Sequence, residues 1–147
     1  MRMTFLAVLL AASTASLASD LMSSPAAAQE FLPVDQAFEL QPVESNNGQL
    51  TVAWRVRPEH YLYKLRLAFS SQSPGLKLGA VKLPKGKPYK DELLGDTEIY
   101  DSDLQVSIPA SGSGTLKVTY QGCAKKGLCY PPQTRELNVS VAAAKKA

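Results

Sequence analysis

Short runs of alternating apolar and polar residues constrain the fold of this chain most. In residues 50–56 every even-numbered position is apolar, and in residues 61–69 tyrosine, leucine and phenylalanine occupy the odd-numbered positions. A period of two predicts strands that turn one face toward the core. Further candidate strands lie at 76–83, 104–108, 115–120 and 135–141, with an early one within 31–40.

Turn-forming residues separate these runs and indicate the fold class. Glycine, proline, asparagine and serine cluster at 46–48, 73–75, 84–86 and 111–114, where they predict connections. Six to eight short strands joined in this way predict an all-β fold, an immunoglobulin-like antiparallel β-sandwich.

The charged stretch 87–103 interrupts the alternating pattern and predicts a long connection. It contains Leu93 and Leu94 between acidic residues and Gly95. From the residues alone, two interpretations of these leucines are open. They either cover another feature of the molecule or complete the edge of the core.

The first residues have the composition of a secretory signal peptide. Arg2 precedes an apolar run that is followed by small residues, and cleavage after Ala28 fits the small-residue rule best. The apolar run is shorter than the roughly 20 residues that a membrane span needs. We therefore expect a signal peptide at 1–28, one domain at 29–141 and a disordered tail at 142–147.

Charge and composition argue against two classes of function. The net charge is +3 over 147 residues, and the lysines at 82–90 and in the tail are not interleaved with aromatic residues. Base-stacking patterns are therefore missing, and we expect no nucleic-acid partner. A single histidine and the lack of a nucleophile elbow argue against a hydrolytic triad.

Cys123 and Cys129 are the only cysteines, and they lie in the stretch GCAKKGLCYPP. If a hairpin opposes them, its turn is Lys125-Lys126-Gly127, and Gly127 supplies the positive φ of a three-residue loop. Directly opposed residues of a non-hydrogen-bonded pair lie near disulfide distance. Because an exported protein meets an oxidising environment, a disulfide is expected here.

The residues leave open whether such a disulfide is structural or redox-active. A ring of about seven residues gives roughly 2.4 kcal/mol by the loop-entropy estimate and is too short to join two sheets. Counted from 115–120, Cys123 has outward parity unless Gly122 forms a bulge, so we expect both sulfurs near the surface. Together with His60 the cysteines offer at most three metal ligands, so we expect no metal.

Four segments in the same order resemble the N-terminal periplasmic domain of the DsbD family of thiol:disulfide interchange proteins. They are FLPVDQAF at 31–38, YLY at 61–63, DELLG with EIY at 91–100, and YQGC with CYPP at 120–132. The resemblance covers about residues 30–141. It implies an immunoglobulin-like sandwich whose disulfide cycles between the oxidised and the dithiol form.

The resemblance implies a role for each cysteine and a set of partners. Cys129 corresponds to the residue that forms mixed disulfides, and Cys123 to the resolving residue. The implied electron donor is a thioredoxin-like domain served by a membrane thiol electron transporter. The implied acceptors are periplasmic proteins such as a disulfide isomerase or a cytochrome c maturation thioredoxin. The implied location is the periplasm, without a metal or organic cofactor.

The resemblance also implies a cap over the sulfurs. Tyr61 and Tyr63 correspond to tyrosines that border the pair. The cap loop corresponds to Asp91, Glu92, Leu93, Leu94 and Gly95. Its two acids are expected to disfavour a thiolate and so to raise the cysteine pKa, and its two leucines replace an aromatic pair that is common in the family.

The family protein continues into a membrane domain and a thioredoxin-like domain, whereas this sequence ends at Ala147. We therefore expect a free-standing thiol–disulfide relay that is served by separately encoded partners. The alternative is a non-catalytic β-sandwich that binds proteins and uses its disulfide only to pin a hairpin. A relay is readily reduced by a thioredoxin-like donor, whereas a structural disulfide resists reduction.

Overall fold

A computed structural model of the protein describes residues 31–142. The predicted signal peptide, and all but the first residue of the predicted tail, lie outside the described residues. No helix within this stretch is long and apolar enough to cross a membrane. The elements in chain order are α1 (Val34–Ala37), β1 (Phe38–Leu40), β2 (Glu44–Asn46), β3 (Gln49–Val56), β4 (His60–Tyr63), a 3₁₀ turn (Lys64–Arg66), β5 (Ala68–Ser71), β6 (Leu76–Leu78), β7 (Lys87–Asp91), β8 (Gly95–Tyr100), β9 (Leu104–Tyr120), β10 (Gly122–Ala124) and β11 (Gln133–Ser140).

Two antiparallel sheets pack around one main core. The larger sheet has the order β1-β3-β9-β11, with β2 also paired to β3 and with β5 and β6 paired to β9. The smaller sheet has the order β10-β4-β8-β7. The largest fully buried side chains come from both sheets and include Trp54, Tyr120, Phe38, Leu50 and Leu62. This is the two-sheet arrangement that the alternating runs predict.

The strands of the larger sheet keep the parity read from the sequence. β3 buries its four even-numbered residues, and β9 buries the even-numbered residues at both of its ends. In β11 the odd-numbered Leu137 and Val139 face the core and are partly buried. A strand with one face on the core produces this alternation.

The predicted single strand at 61–69 is wrong. β4 ends at Tyr63, the 3₁₀ turn follows, and β5 begins at Ala68. β4 pairs within the smaller sheet, whereas β5 pairs with β9 of the larger sheet. The chain therefore crosses between the sheets at the 3₁₀ turn, where Leu65 is 70% exposed.

The stretch 111–114, predicted as a connection, instead continues β9. Gly112 has a φ of 82°, and a Cβ there would lie 1.9 Å from the Gly75 carbonyl oxygen. Glycine at this position permits both the backbone conformation and the close crossing of a neighbouring segment. The predicted strand 76–83 is shorter than expected because its hydrogen bonds to β9 end at Gly79. The early strand within 31–40 begins only after α1.

The stretch 87–103, predicted as a long connection, forms the hairpin of β7 and β8. Asp91 pairs with Gly95, so the turn is Glu92-Leu93-Leu94, and Gly95 has a φ of 71°. Among the described strands β7 pairs only with β8 and forms an edge of the smaller sheet. Four of its five residues are exposed, so the strand tolerates charged side chains. These charges interrupt the alternating pattern by which a strand is predicted from the sequence.

Gly122 lies where the chain passes from the larger sheet to the smaller one. A Cβ at this position would stand 2.4 Å from Phe38 Cζ and 2.4 Å from the Tyr61 carbonyl oxygen. Phe38 belongs to the core and Tyr61 to the neighbouring strand β4. A side chain at position 122 must therefore displace either the core ring or β10.

We expect Gly122→Ala to lower the free energy of unfolding by roughly 1–3 kcal/mol, the usual cost of overpacking. Urea denaturation followed by Trp54 fluorescence measures this change. Ser107→Ala, at an exposed position of β9, is the control and should keep the wild-type midpoint. A wild-type midpoint for Gly122→Ala as well would contradict the close packing of β10 against Phe38.

Candidate functional site: the disulfide hairpin and its cap

Cys123 and Cys129 form a disulfide across a tight hairpin. Their backbones make an antiparallel bridge with a Cα–Cα distance of 4.0 Å. The arrangement is the predicted non-hydrogen-bonded pair, in which opposed side chains come closest. Backbone hydrogen bonds flank the pair on both sides, from Ala124 N–H to Leu128 O at 2.7 Å and from Tyr130 N–H to Gly122 O at 3.0 Å.

The turn between the cysteines is Lys125-Lys126-Gly127, as predicted. Gly127 has a φ of 110°, and its N–H donates to the Ala124 carbonyl at 3.0 Å. The Lys125 N–H donates to the Glu59 carbonyl at 2.8 Å. This bond fastens the disulfide turn to the connection between β3 and β4.

The two sulfurs differ in exposure. Cys123 is 1% exposed and lies in a small apolar cluster with Tyr61 and Tyr63, whereas Cys129 is exposed. Cys123 keeps the outward parity counted from β9, because it lies in a cluster separate from the main core, whereas Gly122 packs beside Phe38 of that core. The expectation that its sulfur lies near the surface is wrong, because this second cluster buries it.

The Tyr63 hydroxyl lies between the sulfurs and a carboxylate. Its oxygen is 3.3 Å from Cys123 Sγ and 3.9 Å from Cys129 Sγ, and it donates to Asp91 Oδ2 at 2.6 Å. A disulfide sulfur has no hydrogen to donate, and the hydroxyl proton goes to Asp91, so both sulfur approaches are contacts in the oxidised protein. Burial and the bond to Asp91 raise the pKa of Tyr63.

Asp91 uses its second oxygen to shape the cap turn. Oδ1 accepts the backbone N–H of Leu93 at 2.8 Å and that of Leu94 at 2.9 Å. The bond from Tyr63, followed by these two backbone bonds, holds the pKa of Asp91 below its usual range, because all three favour the ionised form. One carboxylate therefore fixes both the cap turn and the Tyr63 hydroxyl at neutral pH.

The two leucines of the cap turn have different surroundings. Leu94 is partly buried and packs against the apolar cluster that contains Cys123, whereas Leu93 is 93% exposed. Glu92 is exposed too and makes no side-chain hydrogen bond or ion pair within residues 31–142. Of the expected cap residues, Asp91 and Leu94 thus reach the surroundings of the sulfurs, whereas Glu92 and Leu93 are exposed.

Tyr89 is a neighbour of the site that the sequence analysis misses. Its ring centroid lies 5.1 Å from that of Tyr61, and the two hydroxyl oxygens are 3.5 Å apart. Burial and this hydrogen bond raise the pKa of Tyr61. Tyr89 and Asp91 share one parity of β7, a signal that was available only once this stretch was recognised as a strand.

His60 does not face the sulfurs as a third ligand. Its Nδ1 lies 2.8 Å from the Pro58 carbonyl oxygen and therefore carries the proton. The ring packs against Phe38 and Tyr130, with centroid distances of 6.0 and 6.3 Å. Within the described stretch, no group of three or more histidine, cysteine, aspartate or glutamate side chains is arranged to hold a metal ion.

Comparison with known proteins identifies relatives of the whole described region. Residues 28–141 match the family described as "Thiol:disulfide interchange protein DsbD, N-terminal". The chain is 38% identical over 121 residues to thiol:disulfide interchange protein DsbD 2 of Pseudomonas aeruginosa, covering 82% of this chain and 20% of that protein. It is 45% identical over 119 residues to DsbD 1 of the same organism, covering 78% and 20%. The chain thus spans about a fifth of the length of these relatives.

Solved structures agree with this match. The reduced N-terminal domain of Neisseria meningitidis DsbD is 31% identical, with a TM-score of 0.68 over 77% of this chain and 92% of that one. The same domain in complex with the PilB N-terminal domain is 26% identical, with a TM-score of 0.67 over 80% and 93%. The fold is the predicted immunoglobulin-like β-sandwich, and the chain belongs to the family of DsbD N-terminal domains.

Proposed function

We propose that this domain passes two electrons at a time from a thioredoxin-like donor to disulfide-bearing proteins through Cys123 and Cys129. The observation that carries the proposal is the contrast between the exposed Cys129 and Cys123, which is 1% exposed. A partner thiolate can reach only the exposed sulfur, and thiol–disulfide exchange depends on which sulfur is open to attack. Cys129 is therefore the exchanging residue and Cys123 the resolving one.

The reaction balances in both directions. A donor thiolate attacks Cys129 Sγ, the Cys123–Cys129 bond breaks, and Cys123 leaves as a thiolate and takes a proton. The donor's second thiolate then attacks the donor sulfur that is bonded to Cys129. This step forms the donor disulfide and releases reduced Cys129. With an acceptor, the Cys129 thiolate attacks the acceptor disulfide, and Cys123 attacks Cys129 Sγ to restore the protein disulfide and release the acceptor dithiol.

Tyr63 and Asp91 keep the dithiol from reacting before a partner arrives. The Asp91 carboxylate, joined to the sulfurs through the Tyr63 hydroxyl, disfavours negative charge on either cysteine. It also holds the Tyr63 proton, which would otherwise stabilise a thiolate at Cys123. A thiol with a raised pKa forms less thiolate and exchanges more slowly.

The cap adds a steric barrier. Leu94 packs against the cluster that contains Cys123, and Asp91 holds the turn in place through two backbone hydrogen bonds. The turn has only three residues between Asp91 of β7 and Gly95 of β8, so a partner that displaces it also shifts Asp91. In this proposal the cap opens when a partner docks and uncovers Cys123, while Cys129 is already exposed.

The proposed partners are proteins that exchange thiols and disulfides. The Neisseria DsbD domain has been solved with the PilB N-terminal domain, which supports a protein partner of the thiol-exchanging kind. The proposed donor is a thioredoxin-like domain served by a membrane thiol electron transporter. The proposed acceptors are a disulfide isomerase and a cytochrome c maturation thioredoxin, and the proposed location is the periplasm.

The oxidised protein should gain two free thiols per chain when it is mixed with an excess of a reduced thioredoxin-like domain, because the chain has two cysteines in one disulfide. Acid quenching, thiol labelling and mass spectrometry count them. A disulfide that stays intact under these conditions would indicate a structural staple, and the alternative of a non-catalytic binding module would then be favoured.

Single-cysteine variants test the assigned roles. Cys123→Ser keeps the exposed Cys129 and should form a stable mixed disulfide with a disulfide-bonded thioredoxin-like domain. Cys129→Ser keeps only the buried Cys123 and should react at least roughly tenfold more slowly, since exposure limits thiol reactivity. Gel analysis without reductant measures both rates. Equal rates for the two variants would contradict the assignment.

The two leucines of the cap turn provide a matched pair. Leu94→Ala should speed iodoacetamide alkylation of the reduced cysteines roughly twofold to tenfold, because it removes a contact over the cluster whose local opening limits access. Leu93→Ala removes a side chain of the same size that is 93% exposed, and should leave the rate unchanged. If both variants react at the wild-type rate, the turn does not cover the sulfurs.

A further inference from the structure

The disulfide ring carries two adjacent positive charges that the exchange chemistry itself does not use. Lys125 and Lys126 form the turn between Cys123 and Cys129. Two links hold this turn closed: the hydrogen bond from Gly127 N–H to the Ala124 carbonyl and the disulfide itself. The two lysines are therefore presented by a rigid turn beside the exposed sulfur.

Lys125 is held in place and its charge is partly compensated. Its N–H donates to the Glu59 carbonyl, and its Nζ lies 3.8 Å from Asp101 Oδ2. The same oxygen accepts from Lys87 Nζ at 3.1 Å. The bond to Lys87 and the attraction of both lysines lower the pKa of Asp101, so this carboxylate is ionised at neutral pH.

Lys126 is exposed, and no carboxylate within residues 31–142 lies within 4.0 Å of its Nζ. Two residues, Gly127 and Leu128, separate it from Cys129, so the Cα atoms of Lys126 and Cys129 are at most about 11 Å apart. Its uncompensated charge therefore stands within reach of any protein whose cysteine attacks or is attacked by Cys129.

One carboxylate also lies near the sulfurs. Asp91 lies beyond the Tyr63 hydroxyl, and the exposed Glu92 follows it in the cap turn. Cys129 is thus close in sequence to the basic disulfide turn and is joined to the Asp91 carboxylate only through the Tyr63 hydroxyl. A partner with an acidic side toward the disulfide turn gains attraction from the exposed Lys126.

We propose that Lys126, supported by Lys125, selects partners whose reacting cysteine is bordered by acidic side chains. This inference deepens the proposed exchange function and rests on it. Complementary charges around two reacting sulfurs raise the rate of productive encounter more than the final affinity. The effect depends on salt, because the Debye length falls from about 30 Å at 0.01 M to about 3 Å at 1 M.

The test uses the reduced full chain and two short peptides of identical sequence except for the residues beside their cysteine. One peptide has glutamates there and the other lysines, and each is supplied as its symmetrical disulfide. Acid quenching and chromatography measure the rate of peptide thiol release. The quantity of interest is the ratio of the two rates, since a change in Cys129 thiolate content alters both rates equally and cancels.

We expect the wild type to reduce the acidic peptide roughly threefold to tenfold faster than the basic one at low salt, with the ratio approaching one at high salt. Lys126→Gln should lower the low-salt ratio by at least half. Lys77→Gln, which removes the same charge from an exposed position on β6 of the other sheet, should keep the wild-type ratio.

Two results would overturn the inference while leaving the exchange function intact: equal rates with the two peptides, or a wild-type ratio in Lys126→Gln. Failure of the reduced protein to react with either peptide would instead remove the exchange function, and this inference with it. The outcomes therefore distinguish a failure of charge selection by Lys126 from a failure of the exchange function.

Discussion

The pairing of β10 with β4 determines where both sulfurs lie. Cys123 sits opposite Tyr61 in this pairing, which places its sulfur against the tyrosine cluster, while Cys129 returns on the outer side of the hairpin. Gly122 makes the pairing possible, because it leaves room for Phe38 and for the carbonyl of the neighbouring strand. The difference in exposure between the sulfurs is thus a consequence of sheet geometry and of one missing side chain.

The cap depends on a second constraint, the two oxygens of Asp91. One oxygen accepts the Tyr63 hydroxyl and the other accepts two backbone N–H groups of the cap turn. A displacement of the turn therefore also disturbs the hydrogen bond of the hydroxyl that contacts both sulfurs. In the proposed mechanism, steric access to the sulfurs and their electrostatic surroundings change together when a partner moves the cap.

The sequence was informative where a residue faces one well-defined core. The alternation of Leu50 to Val56 and the turn at Gly127 followed from period and backbone conformation, and both were confirmed. The crossing at residues 64–66 was not predictable, since Leu65 continues the apolar parity and yet is exposed. Parity gave the correct face for Cys123 but not its burial, because a second apolar cluster covers that face of the smaller sheet. Only three-dimensional packing distinguishes Leu94 from Leu93, which are adjacent and chemically identical.

The small disulfide ring affects how the domain behaves through repeated oxidation and reduction. The hairpin that contains it is also held by backbone hydrogen bonds from Ala124, Lys125 and Tyr130, none of which involves sulfur. Breaking the disulfide returns loop-closure entropy to the unfolded chain, worth roughly 2.4 kcal/mol, about half of what a 100-residue loop would return. The backbone hydrogen bonds should therefore keep the hairpin closed in both redox forms, so a partner tells them apart by the sulfurs themselves. The sandwich then stays folded through repeated oxidation and reduction, and the exchange reaction does not require the domain to refold.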